Sequence, residues 1–174
     1  MIGDPFDDAI RALLVEDSET DAELLIENLR DDPFIAFERA KRLADATAYA
    51  QRVEDGPDII LLDLNLPDSE GLDGLDLLIA TRPDLPVVVL TGDADPQRGV
   101  QAVRRGAQDY LHKGAPAEVI ARSIRYAVER ADFIVQFKLM QMALLEAQAE
   151  AERATMTRSF VDMVSHEFRT PMAI

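Results

Sequence analysis

Ile59-Ile60-Leu61-Leu62-Asp63-Leu64-Asn65-Leu66-Pro67-Asp68 passes from four consecutive aliphatic residues straight into an acid. A short apolar run without alternation marks a strand buried on both faces. The pattern recurs on either side of it. Ala12-Leu13-Leu14-Val15 ends on Glu16-Asp17, Val87-Val88-Val89-Leu90 ends on Thr91, and a fifth short strand over Ala107 to His112 ends on Lys113. Phe34 to Ala40 alternates weakly, as an edge strand does.

Helical signals fill the gaps. Ser18 stands as an N-cap with Asp21 three residues on, ahead of Ala22 to Leu29. Ala44 to Val53 reads as a helix. Leu72, Leu75, Leu78 and Ile79 keep helical spacing until Arg82-Pro83. Asp95-Pro96 pairs an N-cap with proline at the first helical position, and Gly106 closes that helix. Buried strands alternating with helices predict an α/β fold, a five-stranded parallel sheet covered on both faces.

The bulk properties narrow the function classes. The chain has 174 residues, 48% of them hydrophobic, enough for one domain with a real core and an appendage. A net charge of −15 argues against a nucleic-acid binder and against docking on anionic lipid. Absence of cysteine excludes disulfides and thiolate chemistry. No apolar run approaches a membrane span, so there is no membrane insertion, and Met1-Ile2-Gly3-Asp4 lacks the basic start of a signal peptide. A cytoplasmic protein is the default.

In an open parallel sheet, ligands bind beyond the carboxyl ends of the strands. Glu16, Asp17, Asp63, Thr91 and Lys113 would therefore converge on one rim. Three carboxylates with one lysine repel one another unless a divalent cation joins them, and Mg²⁺ suits a few carboxylates with phosphate oxygens. With Mg²⁺ bound, a free Asp63 oxygen is placed to attack a phosphoryl group while Lys113 neutralises the transferring oxygens. Each residue alone has a bland explanation as a strand-end or turn residue; five in order at successive strand ends do not.

On these residues, together with Gly71, Gly92 and Asp109-Tyr110-Leu111-His112-Lys113, the stretch from residue 10 to about 130 resembles the receiver domain of two-component response regulators. The resemblance implies a flavodoxin-like (βα)5 sandwich with Asp63 as phosphoacceptor. It implies Mg²⁺ held by Asp17, Asp63 and the backbone carbonyl of Asn65, with Glu16 acting through water. Thr91 and Tyr110 would form the switch pair, and Asn65 and Asp93 would tune the lifetime of the phosphoaspartate. The expected phosphodonor is an upstream phosphohistidine. The family usually has proline after the lysine, where Gly114 stands here.

Past Pro116 the texture changes. Ala117 to Thr170 contains neither Gly nor Pro, and as one helix would extend about 80 Å. Val128, Val135, Met142, Ala149, Met156 and Met163 recur every seven residues, with Ile124, Ala131 and Leu145 in the partner row and Lys138, Glu152 and Ser159 breaking it. This imperfect heptad predicts a parallel homodimeric coiled coil through the C-terminal helix.

Near its end, Phe160-Val161-Asp162-Met163-Val164-Ser165-His166-Glu167-Phe168-Arg169-Thr170-Pro171 resembles the H-box of histidine kinase dimerisation domains. By that resemblance His166 is a phosphoacceptor, Glu167 its acidic partner, and Thr170 completes a Glu-x-x-Thr pattern that positions water. His112, in contrast, reads as a surface residue. The expected organisation is a receiver over 1–130, a coiled-coil signalling helix over 131–155, and the first part of a dimerisation and phosphotransfer helix over 156–174. The preferred expectation is a truncated, receiver-first hybrid histidine kinase without its ATP-binding domain. In it, phosphorylation of Asp63 would be relayed along the helix to His166, with a stutter near Met156 bringing that histidine off the buried seam. The alternative is a non-enzymatic dimeric response regulator whose coiled coil is the output.

Overall fold

The computed structural model describes residues 9–52, 55–92 and 95–167. Five strands, β1 (Ile10–Val15), β2 (Ile35–Ala40), β3 (Ile59–Asp63), β4 (Val87–Thr91) and β5 (Asp109–His112), alternate with five helices, α1 (Glu19–Asn28), α2 (Leu43–Ala50), α3 (Asp73–Thr81), α4 (Pro96–Arg104) and α5 (Ala117–Glu167). All strand pairs are parallel, in the order β2-β1-β3-β4-β5. The expected α/β architecture is the one observed, with a long C-terminal helix following the sheet.

Side chains of a strand alternate between faces, so a strand of continuous aliphatic residues serves two cores. Leu13, Val15, Ile60, Leu62, Val87 and Val89 pack beneath α2, α3 and α4. Their sequence neighbours Ala12, Leu14, Ile59, Leu61, Val88 and Leu90 pack beneath α1 and the start of α5, where Ile120, Ala121, Ile124 and Ala127 are buried. Each fully buried aliphatic side chain contributes about 1.5–3 kcal/mol, so this double use of β1, β3 and β4 is what anchors the strand ends that carry the polar residues.

Local signals set most boundaries. Ser18 accepts from the backbone N–H of Asp21, and Asp95 accepts from that of Gln97 with Pro96 opening α4. Gly106 takes φ 108°, a conformation natural to glycine, and turns the chain out of α4. Several boundaries differ from expectation: α2 ends at Ala50 instead of Val53, β2 starts at Ile35 instead of Phe34, and two other starts have a visible physical reason. β5 starts at Asp109, because Ala107 still donates to the carbonyl of Ala102 in closing α4. α2 starts at Leu43, because the carboxylate of Asp68, from the loop after β3, accepts from the backbone N–H groups of Leu43 and Ala44 at 2.9 and 3.1 Å. That bond lies 25 residues from Leu43 in sequence and has no local signature.

The chain divides into two units, 1–132 and 133–174. In the second, the described part is α-helical through Glu167, and Phe133, Phe137, Met140, Leu144, Leu145, Met156, Phe160 and Met163 are exposed. Phe133 and Phe137 stack one helical turn apart, their ring centroids 6.3 Å from each other. Among the described residues no helix is long and apolar enough to cross a membrane.

Candidate functional site

The crevice forms where β1 lies between β2 and β3 and the chain leaves the sheet in opposite directions. Glu16 and Asp17 follow β1, and Asp63 ends β3. Their carboxylate oxygens lie within 4.8 Å of one another, with Glu16 and Asp63 buried and Asp17 exposed. Lys113, from the β5–α5 turn, donates to Asp63 Oδ2 at 3.0 Å and pairs with Glu16 Oε2 at 2.5 Å. The other oxygen, Asp63 Oδ1, is buried without a hydrogen-bond partner. A buried carboxylate oxygen left open is costly unless a ligand completes it.

Burial pushes the Glu16 carboxyl above its ordinary value, aided by the nearby Asp63 charge and opposed by the hydrogen bond from Lys113. Burial pulls Lys113 down, but its bonds to Glu16, Asp21 and Asp63 outweigh that, and its pKa is raised. The lysine is firmly cationic, and the carboxylates around it exceed what it can neutralise. The donor set is all oxygen, and with the open Asp63 Oδ1 it suits a hard divalent cation such as Mg²⁺.

Several residues outside the predicted set shape this pocket. Asp21, in the first turn of α1, accepts from Lys113 Nζ at 2.9 Å. In the sequence Asp21 reads as a capping partner, and its place one helical turn past the Glu16-Asp17 pair is the signal for this second contact. Arg39 on β2 donates to the carbonyls of Glu16 and Asp17 at 3.0 and 3.1 Å and pairs with Glu19, fixing the loop after β1. His112 bonds backbone on two sides, to Gly92 and to Gly114.

Thr91 is buried at the end of β4, and its carbonyl accepts from the backbone N–H of Lys113 at 2.8 Å. Tyr110 is half-buried against the α2–α4 core, with its ring over Gly99 of α4, where a Cβ would come within 2.9 Å of it. Asn65 is exposed just past Asp63. His166 is exposed in the last described turn of α5, and Glu167 is the last described residue of that helix. Asp93 and Thr170 lie outside the described residues.

Residues 12–125 match the family model of the response regulator receiver domain. The chain belongs to this family. The chain is 31% identical over 143 residues to the C4-dicarboxylate transport transcriptional regulatory protein DctD of Pseudomonas aeruginosa, a match covering 82% of this chain and 30% of that protein. It is 37% identical over 112 residues to the photosynthetic apparatus regulatory protein RegA of Cereibacter sphaeroides, covering 64% of this chain and 59% of RegA. The chain therefore spans less than two thirds of these relatives.

Among solved structures, the receiver domain of a LuxO repressor protein from Vibrio parahaemolyticus superposes with a TM-score of 0.65 at 29% identity, covering 74% of this chain and 97% of that one. A response regulator from Burkholderia pseudomallei, crystallised with a phosphorylated aspartic acid, a calcium ion and citrate, gives 0.58 at 28% identity over 74% of each chain. The receiver here is thus a phosphorelay domain by family.

Proposed function

We propose that the receiver takes a phosphoryl group on Asp63 from a phosphohistidine donor, and that its helix passes the resulting state onward as a homodimer. The observation that carries the first part is the pairing of an open, buried Asp63 Oδ1 with Lys113 on Asp63 Oδ2. Oδ1 attacks phosphorus, the P–N bond of the donor breaks, and the electron pair leaves with the imidazole nitrogen. Lys113 balances charge on the phosphoryl oxygens. Glu16, Asp17, Asp63 and the carbonyl of Asn65 would hold Mg²⁺, which supplies further charge neutralisation on those oxygens. Thr91, buried at the end of β4, would donate its hydroxyl to the new phosphoryl group, and Tyr110 would repack behind it.

For the output, the sequence around His166 supports a receiver-first histidine kinase in which His166, Glu167 and Thr170 form the phosphotransfer motif. The regulatory proteins among the relatives favour a response regulator, and the second reading is accordingly a non-enzymatic dimeric one whose coiled coil is the output. Exposed apolar residues at the seven-residue positions Met142, Met156 and Met163 support pairing of two helices in either case.

The test is phosphorylation with acetyl phosphate and Mg²⁺, read by intact-protein mass. The wild-type chain is expected to gain one phosphoryl group, and Asp63→Asn none. Modification persisting in Asp63→Asn would place the acceptor elsewhere.

A further inference from the structure

His112 lies outside the acid pocket, yet it makes more bonds than any other exposed residue of the β5–α5 turn. Its carbonyl accepts from the backbone N–H of Ala115 at 2.9 Å, closing a turn with Lys113 and Gly114 at the two central positions. Its Nδ1 accepts from the Gly114 N–H at 2.9 Å. Its Nε2 lies 3.1 Å from the carbonyl of Gly92, in the loop that follows Thr91. Because Nδ1 accepts, the proton belongs on Nε2, and the neutral ring then satisfies both partners at once.

We propose that His112 is a positioning residue for phosphoryl transfer, a clasp that sets Thr91 and Lys113 in register across the mouth of the pocket. One nitrogen holds the residue after Thr91, and the other holds the residue after Lys113. The β-ladder already aligns the two strands, with Thr91 opposite His112. Beyond the ladder, however, the loops carrying Gly92 and Gly114 lose their regular pairing, and among the described residues His112 is the side chain that joins them. Gly114 is part of the device for two reasons. Its N–H is the donor, and a Cβ there would lie 3.0 Å from Nδ1 and 3.2 Å from Cε1, so the ring would have to give by a few tenths of an ångström. Neither residue touches the acceptor aspartate, so the clasp acts through Lys113 and Thr91.

This inference rests on the reading of Asp63 as acceptor, and one experiment separates the two. Phosphorylation by acetyl phosphate and subsequent loss of the phosphoryl group are followed for the wild type, His112→Ala, Gly114→Ala and the double variant. Losing one hydrogen bond's worth of alignment is expected to slow phosphorylation about fivefold in each single variant. Because Gly114→Ala acts only by crowding the His112 ring, it has nothing left to act on once the ring is gone, and the double variant is expected to be no slower than His112→Ala alone.

His112→Asn, whose Oδ1 can still accept from Gly114, is expected to recover part of the rate. In ¹⁵N spectra of the wild type, His112 is expected to show an unprotonated Nδ1 and a protonated Nε2. A wild-type rate in His112→Ala, independent and multiplying effects in the double variant, or the opposite tautomer would each overturn the clasp. Failure of the wild type itself to take phosphate on Asp63 would instead overturn the reading beneath it.

Discussion

Glu16 is the residue whose chemistry is least expected from its type. Its burial beside Asp63 disfavours the charged form, so its pKa lies above the ordinary glutamate value. A group raised in this way stabilises the fold below the unfolded-state pKa, and that contribution is lost as pH rises through the folded one. Glu16→Gln is therefore expected to raise the Tm of the metal-free protein at pH 7 relative to wild type, with the difference shrinking in acid. Mg²⁺ is expected to reverse the ordering, raising the wild-type Tm more than that of the variant. Equal responses to Mg²⁺ in both proteins would remove Glu16 from the metal site. The acids of the site were legible in sequence because each follows an apolar strand. Asp21 offered only its spacing from the Glu16-Asp17 pair, and His112 offered no signal, since Lys113 and Gly92 lie 92 and 20 residues from them and come into range only in the folded turn after β5.

At the scale of elements, the continuous aliphatic strands were legible from composition alone, because burial on both faces leaves no room for alternation. The start of α2 was hidden, since its cap comes from Asp68 and its own N-cap residue, Arg42, makes no side-chain capping bond. The Leu43 N–H holds the Asp68 carboxyl below its ordinary value. Such a group lends its stability above the unfolded-state pKa and loses it as pH falls through the depressed one. Asp68→Ala is expected to lower Tm by a few degrees at pH 7, Asp68→Asn by less, because asparagine also caps well. The gap between wild type and Asp68→Ala should close in acid. A gap unchanged with pH would mean that the ionised carboxylate is not the capping group.

At the scale of the whole chain, the periodic C-terminal helix was legible from its seven-residue spacing, whereas its pairing is a property of two chains. The described helix carries exposed Val135, Met142, Leu145 and Met156, a row that water disfavours and a second copy would cover. Met142→Lys with Leu145→Lys is expected to convert a dimer into a monomer in sedimentation equilibrium, while the far-UV signal of the receiver sheet is kept. A wild-type monomer at tens of micromolar would remove the coiled coil from the proposal. The same helix also exposes Phe133, Phe137, Met140 and Leu144 away from that row, more apolar surface than a two-stranded seam alone requires.

The reach of β2 and α2 toward the pocket has a consequence for how the molecule can be observed. Arg39 grips the loop after β1, and Asp68 ties the loop after β3 to the first turn of α2. The outermost strand and its helix are thus wired to both loops that carry the acids. The amides of Leu43 and Ala44 act as a built-in gauge: any shift of the Asp63 loop stretches the bonds they make, and their resonances would record it from a place no phosphodonor needs to touch.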